Sequence, residues 1–266
     1  PREYQPVQIW FPKTAGALAI DRHTVAPTMI QTIREHGCTG AAFMGGVART
    51  HIVMVKDGHT ARSAETDVEC SVRVRTPSGL GVGWYGQASR NWETLTPVEV
   101  AERAVAFARR ADNPVAYEPG RRTAILSHFA VAQLVRCFGG EFDFDFRLPE
   151  RPLYLSPAGT GTKVGLRVFD ERIRIESDPI DPLGGYAPFD KDDGLPIRRI
   201  VWVGRGGLKT MAYSAGEGLA RGRQSHPAPA ENVRLSAEPG TETMTVDEMI
   251  ASCDHGIYVH RFSDLR

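Results

Sequence analysis

The chain has 266 residues, with 32 Lys plus Arg against 32 Asp plus Glu, 41% hydrophobic residues and 24% charged ones. A net charge of zero gives no field to draw it to nucleic acid or a membrane surface, and the ordinary globular composition excludes wholesale disorder. No apolar run reaches transmembrane length, and the four cysteines (Cys38, Cys70, Cys137, Cys253) lie far apart with no C-x-x-C spacing, which points to reduced thiols in a cytoplasm.

Val7–Phe11 is a short apolar strand candidate. Thr24–His36 reads as a helix with Met29, Ile30 and Ile33 on one face and Gly37 as its stop. Two strands are expected between Thr39 and Val55, the second from Arg49 to Lys56, turning through Asp57-Gly58 into a strand that begins near His59. From Val68 to Arg75 apolar Val68, Cys70, Val72 and Val74 alternate with Glu69, Ser71, Arg73 and Arg75, the period of a half-buried strand. Thr76-Pro77-Ser78-Gly79 then reverses the chain into a strand from Leu80 to Gln87. Gly81, Gly83 and Gly86 strip that strand of side chains, so another backbone, a large aromatic ring or a ligand approaches closely there. Trp84, Arg90 and Trp92 beside them, with Phe189 far along the chain, complete a candidate substrate groove, against the simpler reading of a bulged hairpin packed under two tryptophans.

Leu95-Thr96-Pro97-Val98-Glu99-Val100 starts a helix running to about Asp112, with Thr96 as N-cap, Pro97 at the first helical position and Glu99 completing a capping box. Its buried face is Val100, Ala101, Ala104, Val105 and Ala108. A strand to Leu126 and a helix from His128 to Phe138 follow. Glu141–Phe146 alternates Phe with carboxylates as a strand, whose acidic face is read as solvated rather than metal-binding. Residues 147–197 are rich in Pro and Gly, with one strand at Arg172–Glu176 and an exposed turn at Asp190–Gly194; so long an irregular stretch suggests a lid, a partner surface or a groove. Arg198–Val203 and Leu208–Tyr213 form a hairpin across Gly204-Arg205-Gly206-Gly207, with no helix after it to make a phosphate loop. A flexible loop is expected over Ser214–Glu231, then a strand at Asn232–Ala237, a helix at Val246–Ser252 with Thr245 and Glu248 as capping box, and a strand at Ile257–Phe262.

The order of several short motifs resembles the TldD/PmbA (TldE) family. They are the glycine-rich hairpin leading through Ala88-Ser89-Arg90-Asn91-Trp92 into a Pro-started helix, Pro119-Gly120 before the strand ending at Leu126, and Val168-Phe169-Asp170-Glu171-Arg172-Ile173. Pro188-Phe189-Asp190 with Asp193-Gly194-Leu195-Pro196, Leu208-Lys209, and Ile250-Ala251-Ser252 with Gly256-Ile257-Tyr258-Val259 continue the series. The resemblance implies an α+β fold with extended antiparallel sheet and a few covering helices, divided here into residues 1–115 and a β-rich part, 116–266. Against the family the chain starts late and stops early, so it is expected to be part of a longer protein.

TldD-type members are zinc metallopeptidases in which one helix carries His-Glu-x-x-x-His, the histidines binding metal and the Glu acting as general base. The resemblance assigns that place to His128-Phe129-Ala130-Val131-Ala132-Gln133-Leu134, which keeps one His, has Phe where the base belongs and lacks the second His. It therefore implies the TldE (PmbA) branch: a cytoplasmic, bacterial-type subunit with no catalytic residues, metal or cofactor of its own, paired with a TldD-like zinc subunit or with itself, in degradation of unfolded peptides or trimming of peptide precursors. Two alternatives stay open. One is a non-hydrolytic binding protein matching the family's older label of gyrase modulator, against which the absence of a basic face speaks. The other is a stand-alone hydrolase or biosynthetic enzyme using His128 or Cys253; for the latter Cys253, Asp254, His255 and His260 lie within eight residues, but a tight fold-back is needed to bring them together.

Overall fold

The alternation that marks Val68–Arg75 belongs, in the computed structural model, to a strand of 16 residues, and that strand organises the first half of the chain. The structure describes residues 3–17, 22–56, 58–139, 142, 162–181, 187–190, 194–222 and 232–262. They fall into two units, one of Gln8–Pro119 with Pro182–Ala187, the other of Pro1–Val7, Gly120–Asp181 and Pro188–Arg266.

The first unit contains α1 (Pro12–Ala17), α2 (Arg22–Glu35), β1 (Thr39–Met54), β2 (Thr60–Arg75), β3 (Val82–Ser89) and α3 (Pro97–Arg110), with a 3-10 turn at Trp92–Thr94. The strands form one antiparallel sheet in the order β1-β2-β3. Val68, Cys70, Val72 and Val74 point to one face, where they meet Met29 and Ile33 of α2 and Val100, Ala101, Ala104, Val105 and Ala108 of α3. The predicted buried face of α3 is thus the observed one. Burial also raises the pKa of the Cys70 thiol.

Three expectations are corrected in this unit. Two strands were expected between Thr39 and Val55; β1 is one strand, paired without interruption to β2 from Thr39↔Arg75 to Met54↔Thr60. Gly45-Gly46 does not break it, because the space beside Gly45 is taken by the Phe43 ring, whose Cζ lies 3.0 Å from where a Cβ would stand. Val7–Phe11 is no strand; it is tied to β2 by single bonds, Thr66 N to Ile9 O at 2.9 Å and Phe11 N to Thr66 Oγ1 at 3.2 Å. Thr96 precedes α3 but makes no side-chain cap. Gln87 Oε1 accepts from both its N–H (2.8 Å) and its hydroxyl (3.2 Å), and that hydroxyl also donates to Glu99 rather than capping the helix. At the other end of α3, Asp112 accepts from Thr76, Ser78 and the Gly81 N–H, locking the β2–β3 turn to the helix. The hydroxyl of Ser78, then that of Thr76, holds its carboxyl below the usual range.

The second unit contains β4 (Thr123–Leu126), α4 (His128–Gly139), β5 (Ile173–Ser177), β6 (Ile200–Gly204), β7 (Gly207–Leu208), α5 (Ala215–Arg221), β8 (Val233–Ala237), α6 (Val246–Ala251) and β9 (Gly256–Val259). An antiparallel sheet runs β7-β6-β5-β8, and besides it β4 and β9 pair in parallel, a feature absent from the sequence reading. Trp202 and Phe142, both 0% exposed, anchor the core with Ile175, Val203, Leu208, Met211 and Tyr213, and Trp202 Nε1 donates to Ser177 Oγ at 2.9 Å. Arg205 (φ 50°) and Gly206 (φ 68°) make the β6–β7 turn, the two positive φ values that a primed two-residue hairpin demands. A helix, α5, stands at Ala215–Arg221, within the stretch Ser214–Glu231 that was expected to be a loop: Ala215, Leu219, Ala220 and Arg221 are strong helix formers and offset the cost of Gly216 and Gly218. Of the expected Glu141–Phe146 strand only Phe142 lies within the described residues, and of the Asp190–Gly194 turn only its two ends, joined by Gly194 N to Asp190 O at 3.0 Å. The capping box of α6 forms as expected, with Thr245 and Glu248 exchanging bonds.

Candidate functional site

Parallel pairing of β4 with β9 sets the start of α4 beside the end of β9, and this is where the resemblance places the chemistry. Ser127 links the three elements. Its N–H donates to Val259 O at 3.0 Å, its hydroxyl donates to His260 O, and its Oγ accepts from Phe129 N (3.1 Å) and Ala130 N (3.2 Å), capping α4. At 1% exposure with its hydroxyl so engaged, Ser127 is a cap and no nucleophile. A Ser directly before the apolar spacing of α4 is the signal in the sequence that marks this cap.

Along α4, His128 is exposed and its ring lies 4.0 Å from that of Phe129, which in turn meets the imidazole of His260 edge-on at 5.4 Å. An aromatic ring thus touches both imidazoles at the position to which the resemblance assigns the family's general base. Gln133 is committed as well: its Nε2 donates to Phe262 O at 3.0 Å and its Oε1 accepts from Phe262 N at 2.9 Å, holding the segment after β9 against the helix. One imidazole, a phenyl ring and a doubly bonded amide do not fit the donor set of the family's zinc helix. Elsewhere, among the described residues, no three of His, Cys, Asp and Glu gather as ligands. Cys253, Asp254 and His255 do line one cleft of about 590 Å³ together with all four residues of β4, whereas His260 faces Phe129.

The expected groove residues are distributed as follows. Gly81 and Gly83 are buried under α3, where a Cβ would lie 2.2 Å from Ala108 O and 2.0 Å from Ala104 O respectively. The approaching backbone inferred from the glycines is the helix. Trp84 and Gly86 belong to the opposite face of the sheet, the indole covering Gly86 with its Cζ2 2.9 Å from where a Cβ would be. Arg90 reaches Asp67 at 3.0 Å and the buried Glu65 at 3.4 Å, a pair of carboxylates also met by Arg49, while His51 bonds Glu65 at 3.0 Å. Trp92 N donates to Thr14 Oγ1 at 2.8 Å and its ring packs against the first core. Phe189 belongs to the second unit, 1% exposed, against the Tyr4 ring at 5.5 Å.

None of the curated proteins matches the chain. Three solved structures do in fold. A protein described as a candidate modulator of DNA gyrase from Thermotoga maritima has 18% identity and a TM-score of 0.83, over 98% of this chain and 61% of that one. A protein of the same description from Bacteroides thetaiotaomicron has 14% identity and a TM-score of 0.79, over 99% and 60%. TldE from Thermococcus kodakarensis has 20% identity and a TM-score of 0.77, over 100% and 62%. The chain therefore spans about 60% of the length of these relatives. The sequence profile described as the PmbA/TldA metallopeptidase C-terminal domain matches residues 119–265, more than half of the chain and all of the β4–α4–β9 arrangement. The chain belongs to the TldD/PmbA (TldE) family of metallopeptidase-like proteins.

Proposed function

We propose that the chain is a TldE/PmbA-type subunit that carries no zinc site of its own and serves a TldD-like zinc subunit in the cleavage of peptides. The observation that carries this reading is the chemistry of α4. Phe129 stands between two imidazoles where proton abstraction from a metal-bound water would need a carboxylate, and Gln133 is spent on holding Phe262. Hydrolysis in such a complex is the partner's chemistry: its zinc would polarise the scissile carbonyl and activate water. This chain would supply wall and groove.

For the peptide we propose the cleft along β4 ahead of the glycine hairpin, since Gly81 and Gly83 are filled by α3 and Phe189 by its own core. Four consecutive residues of a short strand line that cleft, the arrangement in which an extended peptide can add to a sheet edge through main-chain hydrogen bonds. The test is to purify the full chain alone and together with a subunit containing His-Glu-x-x-x-His, then to measure bound zinc and cleavage of an unfolded peptide. Alone, the chain is expected to hold well under one zinc and to cleave nothing; with the partner, cleavage appears and is abolished by chelator. Chelator-sensitive cleavage by the chain alone overturns the reading.

A further inference from the structure

The face of the β1–β2–β3 sheet turned away from α2 and α3 changes sign along β2. Its outward residues there run Glu69, Ser71, Arg73 and Arg75: an acid, a short hydroxyl and two bases. Asp67 lies on the same face, but Arg49 at 2.9 Å and Arg90 at 3.0 Å neutralise it. Arg75 spends one N–H on Gly79 O at 3.1 Å. Among the described residues, neither Glu69 nor Arg73 takes part in an ion pair, and both are exposed. Four residues of strand hold them about 13 Å apart, too far to neutralise one another.

Between these two charges the surface forms a groove with Ser71 as its floor. On β1 Phe43 stands opposite Ser71 and is 55% exposed; on β3 Gly86 stands opposite it, covered by the indole of Trp84. The strands that carry the two rings are about 10 Å apart, a width that admits one extended chain. A hollow of about 280 Å³ opens at the acidic end, where the neighbours of Glu69 across the sheet are only Gly45 and Ala88. Another, of about 380 Å³, lies at the basic end among Thr39, Ala41, Arg73 and Arg75.

The charges select the occupant. A polyanion is repelled at Glu69 and a polycation at Arg73, whereas a molecule with a cation at one end, an anion about 13 Å away and an apolar middle meets all three parts of the groove. A short peptide with free ends is such a molecule, since about four extended residues span that distance from ammonium to carboxylate. We propose that this face binds free peptides of about four residues, the amino end on Glu69, the carboxylate on Arg73 and the middle side chains against Phe43 and Trp84. The bound peptide then runs in the direction of β2. The inference rests on this face alone and uses neither the β4 cleft nor the peptidase reading.

An amide NMR titration of the full chain with the peptide Ala-Leu-Phe-Ala, up to about 10 mM, tests it. Saturable shifts are expected around Phe43, Ser71 and Trp84. Acetylating the amino end or amidating the carboxyl end each weakens binding about fivefold, because each removes one exposed ion pair. Glu69→Gln is expected to bind the free peptide about fivefold more weakly and no longer to distinguish it from the acetylated form, while still distinguishing the amide. Arg73→Gln does the converse. Both residues are exposed, so both variants are expected to melt as the wild type does. The absence of saturable shifts on this face within that range overturns the proposal, as do capped peptides that bind as tightly as free ones. So does discrimination against the acetylated form that survives in Glu69→Gln. Shifts confined to β4 likewise overturn it, and leave the peptidase reading standing.

Discussion

Replacing Gly83 by Ala tests the reason given for the glycine run. The φ of Gly83 is not in the left-handed region, so nothing in its own backbone opposes a side chain. The obstacle is α3: the new Cβ would lie 2.0 Å from Ala104 O and 2.4 Å from Ala108 N, both backbone atoms, and the gap must widen by about 1 Å to reach even the 3.0 Å below which real contacts are essentially never seen. Moving α3 outward loosens Ala101, Ala104 and Ala108, each 0% exposed, from the row of valines on β2. Overpacking of this kind costs about 3 kcal/mol, from which roughly 0.5–1 kcal/mol is recovered because Ala leaves the unfolded chain less freedom. The net loss of about 2–2.5 kcal/mol corresponds to a melting point lower by about 4–10 °C, followed through the fluorescence of Trp84 and Trp92. Gly45→Ala is the control. Its nearest neighbour is the far end of the Phe43 ring, at 3.0 Å, which can turn aside, so the expected cost is under about 1 kcal/mol. If Gly83→Ala melts within a degree or two of wild type, close helix approach is not the reason for that glycine.

Ser127→Ala removes the cap of α4 and the bond to His260 O; a loss of about 1–2 kcal/mol is expected, with faster amide hydrogen exchange at Phe129 and Ala130, and unchanged exchange there would refute the capping role. Gln133→Ala should free the segment around Phe262 while leaving the first unit untouched, seen as exchange rising only at the end of β9 and beyond. Trp202→Phe strands the Ser177 hydroxyl inside the second core and is expected to cost about 1–3 kcal/mol by urea denaturation. The hydrogen bond from the Arg172 side chain, aided by its N–H, holds the Asp170 carboxyl at about 2. A carboxyl depressed in the folded state stabilises above its ordinary pKa near 3.9, and that contribution is lost as pH falls from about 4 through about 2. A carboxyl-carbon NMR titration should place its midpoint near the lower end, and Arg172→Ala should raise it part of the way toward the ordinary range, because the backbone N–H of residue 172 still donates to the carboxylate.

How far the sequence reaches differs from element to element. The buried face of α3, the strand at Val68–Arg75, the turn after it and the capping box of α6 all rest on interactions within a few residues, so the spacing of side chains specified them by itself. The family was legible too, because its motifs are short and ordered along the chain. Other features needed the fold. Gly83 announced a close approach, but only the packing of α3 says that a helix and no ligand makes it. Nothing local in Thr123–Leu126 or Gly256–Val259 tells that they pair in parallel 133 residues apart, and without that pairing Ser127, Phe129, Gln133 and His260 are four unrelated residues. The alternation of apolar with polar residues from Val68 to Arg75 was plain in the sequence. Which elements meet the apolar side was decided by the tertiary packing, in which Val68, Cys70, Val72 and Val74 exclude water together with the apolar faces of α2 and α3.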